Sequence, residues 1–323
     1  MLNITVLMPF EVQYREAFTA AAGNDAVIRW YDAPSDCPEC DLLDADVVIG
    51  NPPADLLPRM TRLKWIQLRM AGTEPYSKPG VLDDSILLTN ATGAFGHAIS
   101  EHMVAATLTL MKKLHLYRDN QNRSQWLDRG TVPSITKSTV LVVGMGDIGG
   151  EYAKRMKALG AYVIGVRRAD ANKPDYVDEL HLTEKLDELI PRADIIALAL
   201  PNTPATTKII NAERLALLKD GAYIINVGRG NAIDTEALCD CALSGKLGGA
   251  ALDVTDPEPL PSDHRMWGIE NILITPHVSG FFHMRETYEN MVGIIIGNMR
   301  RFASGDTALE NIIDKATGYR KLK

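Results

Sequence analysis

Cysteine is scarce in this chain of 323 residues, with four in all, and aromatic residues make up only 6%. Two of the cysteines form Cys37-Pro38-Glu39-Cys40, the spacing of a redox pair or of half a zinc site, while Cys239 and Cys241 stand far away. A structural zinc site needs a second such pair, and a thioredoxin-like site needs the motif to open a helix after a strand. Neither context is evident, so no metal is expected and the thiols read as reduced, idle groups of a cytoplasmic protein. No apolar run reaches the length of a membrane span. Basic tracts are also missing: 34 Lys and Arg stand against 41 Asp and Glu, a net charge of −7, which suits neither nucleic acid nor a membrane surface as partner. The opening residues 1–8 carry no charged start and meet Pro9 before a signal's apolar stretch could complete, so they read as a first strand.

What is present is an ordinary α/β composition, 46% apolar and 23% charged, at a length that suits about two domains. Strand-like runs at 4–10, 26–31, 45–51, 64–70 and 86–90 are separated by helical lengths, which predicts a parallel sheet with helices on its faces. A second series begins at Thr139, with runs at 140–143, 162–166, 194–200, 223–227, 250–254 and 272–275. Six strands with intervening helices match a Rossmann domain. Between the two series, residues 93–100 form a candidate hinge leading into one long helix over 98–118. Its apolar residues lie on more than one face, which points to burial against something beyond its own domain, such as a second subunit. A last helix is expected over 285–302, followed by a return to the first domain. The fold class is therefore α/β with two doubly wound parallel-sheet domains: 1–97, 98–287 for dinucleotide binding, and 288–323 returning to the first.

The second series starts with a strand, Val140-Leu141-Val142-Val143, that runs into Gly144-Met145-Gly146-Asp147-Ile148-Gly149. Glycines here let the backbone turn sharply and approach a pyrophosphate, and the helix that follows offers unpaired N–H groups and the positive end of its dipole. The end of the next strand selects the cofactor. An acidic residue there binds the adenosine ribose, whereas this chain has Arg167 and Arg168, whose charge and bidentate geometry favour the 2′-phosphate of NADP. The alternative is NAD, with both arginines in solvent and Asp170 turned back to the ribose.

Three later strand ends each carry one reactive group: Arg229 in Val227-Gly228-Arg229-Gly230, Glu258 in a proline-rich loop, and His277 in Thr275-Pro276-His277. Singly each has an ordinary reading as an ion-pair partner, a loop charge or a helix cap. Together, at one sheet edge, they supply an acid, its orienter and an anion binder. In the first series, Met70-Ala71-Gly72-Thr73-Glu74 follows a strand end, where small residues can expose amides to a carboxylate or simply make a tight turn.

Read with the segments Ile99-Ser100-Glu101-His102, Leu200-Pro201-Asn202-Thr203-Pro204-Ala205-Thr206, Gly249-Ala250-Ala251-Leu252-Asp253-Val254 and Glu258-Pro259-Leu260-Pro261, the chain resembles the D-isomer-specific 2-hydroxyacid dehydrogenases, the group that includes glyoxylate/hydroxypyruvate reductases. The resemblance implies a flavodoxin-like substrate domain beside the Rossmann domain, a homodimer, and reduction of a small 2-keto acid by hydride from a nicotinamide. It further implies that Arg229 binds the substrate carboxylate, His277 protonates the keto oxygen, and Glu258 fixes the tautomer of His277 and favours its imidazolium form. Asp253 would contact the nicotinamide carboxamide, Pro201, Thr206 and Val227 would lie along the cofactor, and the amides of Ala71 and Gly72 would share the carboxylate. Met70 and Thr73-Glu74 depart from the family's usual Gly and Val-Asp, and Phe281 and Phe282 either line the substrate pocket or cap a helix. A nucleotide-sensing corepressor on the same fold is the rival from another class, and formate oxidation is the rival within the family; Arg167 and Arg168 suit the latter poorly.

Overall fold

The computed structural model describes residues 1–78, 80–169 and 172–321. In chain order it forms β1 (Leu2–Leu7), α1 (Val12–Ala22), β2 (Ala26–Tyr31), α2 (Glu39–Leu43), β3 (Val47–Gly50), β4 (Trp65–Gln67), β5 (Leu87–Thr89), α3 (Gly96–Met111), α4 (Leu114–Asn122), β6 (Thr139–Val143), α5 (Asp147–Ala158), β7 (Tyr162–Arg167), β8 (Glu179–Leu182), α6 (Leu186–Leu189), β9 (Ile195–Leu198), α7 (Ala212–Ala216), β10 (Ala222–Asn226), α8 (Thr235–Leu243), β11 (Leu247–Leu252), β12 (Ile272–Ile274) and α9 (Arg285–Ala303). These divide into two compact units, Met1–Phe95 with Phe282–Lys323, and Gly96–Phe281. The divisions fall at 95/96 and 281/282, where the sequence reading drew them at 97/98 and 287/288.

The first unit is built on a parallel sheet of order β2-β1-β3-β4-β5, the flavodoxin-like arrangement. Its central strands are apolar runs because helices cover both faces, and Ile4, Val6, Val48 and Ile66 are fully buried. The polar residues of β4 and β5 are buried too. Trp65 Nε1 donates to Thr89 Oγ1 at 2.9 Å, Thr89 Oγ1 donates to Gln67 Oε1 at 2.7 Å, and Asn298 Nδ2 of α9 donates to the same Gln67 oxygen at 2.8 Å. Asn298 also accepts from the Glu310 amide at 2.7 Å, and the Ile313 amide donates to Leu88 O at 2.8 Å. A satisfied buried network of this kind fixes one packing of α9 and the C-terminal segment against the sheet.

The second unit carries a parallel sheet of order β12-β11-β10-β9-β6-β7-β8. The order reverses between β6 and β9, which makes the carboxyl end of β6 the switch point where such sheets bind ligands. Two expectations need correction. Among the described residues the sheet has seven strands, not six, the additional one being β8. Its sequence, Glu-Leu-His-Leu, is short and half-exposed at the sheet edge, where charged residues are tolerated, so it lacks the apolar run that marks the others. The single helix over 98–118 is instead two, because Lys113 adopts a left-handed conformation (φ 57°) between α3 and α4. The apolar residues of α3 are covered inside the unit by α5, β10 and β11, so their abundance does not by itself call for a second subunit.

Asp46, just before β3, is nearly buried and accepts from the Asn3 amide at 3.0 Å and from Lys64 and Arg62 at 3.0 and 3.2 Å. Burial alone would raise its carboxyl, but these three donors outweigh it and hold the group below the usual carboxylate range. With the lower value in the folded state, the stabilisation is present above about pH 4 and fades as pH falls through the folded value. Asp46→Asn is expected to lower the unfolding free energy by about 1–3 kcal/mol at pH 7, with the gap narrowing below about pH 4; urea melts across that range check it, and a pH-independent gap would count against the assignment.

Candidate active site

The switch point of the second sheet is shaped by glycine. At Gly144 the backbone has φ 103°, and a Cβ there would meet Ala199 O at 2.5 Å. At Gly149 a Cβ would meet Gly144 O at 2.0 Å, so only glycine lets α5 begin against the turn. Gly146 differs, since a Cβ there would meet nothing within 4 Å. It is the N-cap of α5 and gives no side-chain cap, and among the described residues the amides of Gly146 and Ile148 donate to no acceptor. Open space over uncapped first-turn amides fits a pyrophosphate. The Asp147 carboxylate lies against Gly96 at the start of α3.

Arg167 ends β7, half-buried, and among the described residues no carboxylate pairs with it; Arg168 follows, exposed. Asp170, the acidic alternative, lies outside the described residues. On the loop after β9, Thr206 is buried and acts inward: its hydroxyl donates to Pro201 O at 2.7 Å and accepts from the Thr203 amide at 2.9 Å. Val227 is also buried, its amide on Leu198 O at 3.2 Å.

Arg229, Glu258 and His277 follow the adjacent strands β10, β11 and β12. The Arg229 loop is braced by fully buried Asn226, whose Nδ2 donates to Arg229 O at 2.9 Å and whose Oδ1 accepts from the Gly228 amide at 3.0 Å. A Cβ at Gly230 would meet Thr255 O at 1.9 Å, so this loop lies directly on the one that carries Glu258. His277 Nδ1 is 2.6 Å from Glu258 Oε1, and each side chain is 42% exposed, open to a ligand. An ionised carboxylate only accepts, so Nδ1 carries the proton in this contact.

His277 has φ 52°, a region unusual for a non-glycine residue. Its amide donates to Asp253 O at 2.8 Å, and the buried Asp253 carboxylate holds the rest of the turn. Oδ1 accepts from Thr275 Oγ1 at 2.6 Å and from the Val278 amide at 2.9 Å; Oδ2 accepts from the Ser279 amide at 3.0 Å and from the Ser279 hydroxyl. The positioning work of Asp253, Ser279 and Asn226 is absent from the sequence reading. An Asp and an Asn at consecutive buried strand ends were the available signal, because buried polar groups there must bond to something.

In the first unit, the loop after β4 has its carbonyls occupied: Met70 O accepts from the Ala91 amide at 3.1 Å and Ala71 O from Asn90 Nδ2 at 2.6 Å. Among the described residues the amides of Ala71 and Gly72 donate to no acceptor. Phe281 is exposed, whereas the Phe282 ring stands 5.9 Å from that of Phe95. Burial pushes the Cys37 thiol up to about 11, the reverse of an activated thiol.

The family model for the NAD binding domain of D-isomer specific 2-hydroxyacid dehydrogenases matches residues 104–279, more than half of the chain. A D-isomer specific 2-hydroxyacid dehydrogenase family protein from Aeromonas salmonicida superposes with a TM-score of 0.85 at 31% identity, covering 97% of this chain and 99% of that one. An NADPH-dependent glyoxylate/hydroxypyruvate reductase from Sinorhizobium meliloti, solved with NADP and sulfate, gives 0.83 at 28%, covering 99% and 100%. A D-lactate dehydrogenase from Aquifex aeolicus, solved with NAD and lactic acid, gives 0.75 at 27%, covering 96% and 98%. The chain belongs to the D-isomer specific 2-hydroxyacid dehydrogenases, and a nicotinamide dinucleotide is its cofactor.

The two glycines make opposite demands. Gly146→Ala is expected to leave the melting temperature of the ligand-free chain unchanged and to weaken dinucleotide binding by roughly tenfold or more. Gly149→Ala is expected to lower the melting temperature itself. Thermal melts and calorimetric titration compare them, and equal melting losses would remove Gly146 from the binding surface.

Proposed function

We propose, from its membership of that family, that the chain reduces a small 2-keto acid to the D-2-hydroxy acid, or runs the reverse, with NADP(H) preferred over NAD(H). The observation that carries this reading is the contact of His277 Nδ1 with Glu258 Oε1 at 2.6 Å, beside the braced loop of Arg229 on one sheet edge. When bound, the reduced nicotinamide supplies the hydride. Arg229 binds the substrate carboxylate and polarises the adjacent keto oxygen. His277 Nε2 delivers the proton to that oxygen in reduction and recovers it in oxidation. Glu258 keeps the proton on Nδ1 and so fixes the tautomer and orientation of His277. Asp253, whose resemblance role is contact with the nicotinamide carboxamide, holds the His277 turn with both carboxylate oxygens.

In the first unit, the amides of Ala71 and Gly72, which donate to no acceptor among the described residues, are a second place for a carboxylate. Arg167, which no carboxylate among the described residues pairs with, and Arg168 next to it support the NADP preference, and Pro201 and Thr206 after β9 and Val227 after β10 are assigned to the cofactor. A homodimer is supported by Trp126, Leu127 and Val132, apolar residues exposed at 105%, 55% and 44% on one loop. Free thiols at all four cysteines suit a cytoplasmic setting. The corepressor reading is disfavoured because it leaves the oriented His277–Glu258 pair without a task.

His277→Ala is expected to lower kcat by roughly two to four powers of ten, and near-normal turnover would remove it from the mechanism. Arg229→Ala should both weaken 2-keto acid binding and slow reduction. For the cofactor, wild type should bind NADPH more tightly than NADH, and Arg167→Asp should reverse the order; tighter NADH binding by wild type would overturn the preference.

A further inference from the structure

Arg69 lies two residues past β4, at the carboxyl edge of the first unit's sheet. Its guanidinium carbon is 6.0 Å from the centroid of the Phe282 ring, within the range of a cation–π contact. Several other arginines of this unit pair with carboxylates: Arg29 with Asp41 and Asp44, Arg59 with Glu39, Arg62 with Asp44 and Asp46. Arg69 is half-buried, and among the described residues no carboxylate pairs with it. Its charge acts on Tyr76, whose hydroxyl donates to Pro52 O at 2.7 Å and is also approached by the Asn51 amide. Asn51 Oδ1, just past the end of neighbouring β3, is itself buried and has no hydrogen-bond partner among the described residues. Among the described residues, one sheet edge therefore holds a guanidinium with no carboxylate against it and an unsatisfied amide oxygen, next to the loop where the Ala71 and Gly72 amides donate to no acceptor.

We infer that Arg69 takes a second carboxylate of the substrate, so that the substrate class is a short 2-keto diacid of four or five carbons. This rests on the reading of the chain as a 2-keto acid reductase. The Phe282 ring, with its centroid 6.0 Å from the guanidinium carbon, offers no hydrogen-bond acceptor to the N–H groups, which match a planar carboxylate bidentately. Positions 69 and 71 lie at most about 7 Å apart along the chain, so the guanidinium and the loop amides suit opposite ends of a short diacid.

The test compares kcat/KM with NADPH for oxaloacetate against 2-ketobutyrate and for 2-ketoglutarate against 2-ketovalerate, in wild type, Arg69→Leu and Arg69→Lys. Wild type should favour the diacid of at least one pair by about tenfold to a hundredfold, the range of a hydrogen bond to a charged group. Arg69→Leu should erase that preference mainly through KM while leaving monoacid turnover unchanged, and Arg69→Lys should retain part of it. Equal or lower diacid turnover in wild type, or a preference that survives Arg69→Leu, overturns the inference. If no 2-keto acid is reduced, the reductase reading fails, and calorimetric titration of the same three proteins with D-malate and D-2-hydroxybutyrate still decides for Arg69: tighter D-malate binding lost in Arg69→Leu supports it, and equal affinities sink it.

Discussion

The Asp253 carboxylate is only 2% exposed and gives both oxygens to the turn 275–279. A buried carboxylate without such donors would be strongly unfavourable, and a histidine at φ 52° without such restraint would relax. Each instability is removed by the other. Because the Asp253 amide also donates to Asn226 O at 2.9 Å, and Asn226 braces Arg229, the restraint extends over three adjacent strand ends. The 2.6 Å approach of His277 to Glu258 follows from this scaffold, since two half-exposed side chains in water gain little from an isolated ion pair.

The first unit uses the same logic on a smaller scale. Gln67, Thr89 and Asn298 are fully buried and mutually bonded, which fixes where β4 ends and hence where the loop Met70–Gly72 begins. The Asn90 side chain then takes the Ala71 carbonyl, which turns the loop amides away from internal partners. In both units buried polar side chains at the strand ends are consumed in positioning the loops that follow.

Much of this was legible in the sequence. The glycine turn at 144–149, the apolar strand runs and the reactive groups at 229, 258 and 277 could be read because each is local: a strand, a turn chemistry or a single reactive side chain. The failures were also physical. β8 escaped because an edge strand with Glu179 and His181 has no apolar signature, and Glu179 is held down to about 2 by Arg192 and His181, with which it pairs at the surface. The break at Lys113 escaped because a left-handed residue at the end of an apolar helix leaves no mark when it is not glycine. The bonds of Asp253 to residues 275–279 were not legible because they join segments more than twenty residues apart in the chain.

The sequence by itself determined the apolar strands, the glycine turn and the inventory of titratable side chains at the strand ends, because periodicity, glycine placement and side-chain chemistry are properties of neighbours along the chain. Tertiary structure alone decided which groups end up unpaired. Arg167 and Arg69 have no carboxylate against them among the described residues, while Arg62 and Arg192 do. Nothing in the local sequence separates these four arginines; what separates them is whether folding brings an acidic residue within a few ångströms, and that is set by packing between distant segments.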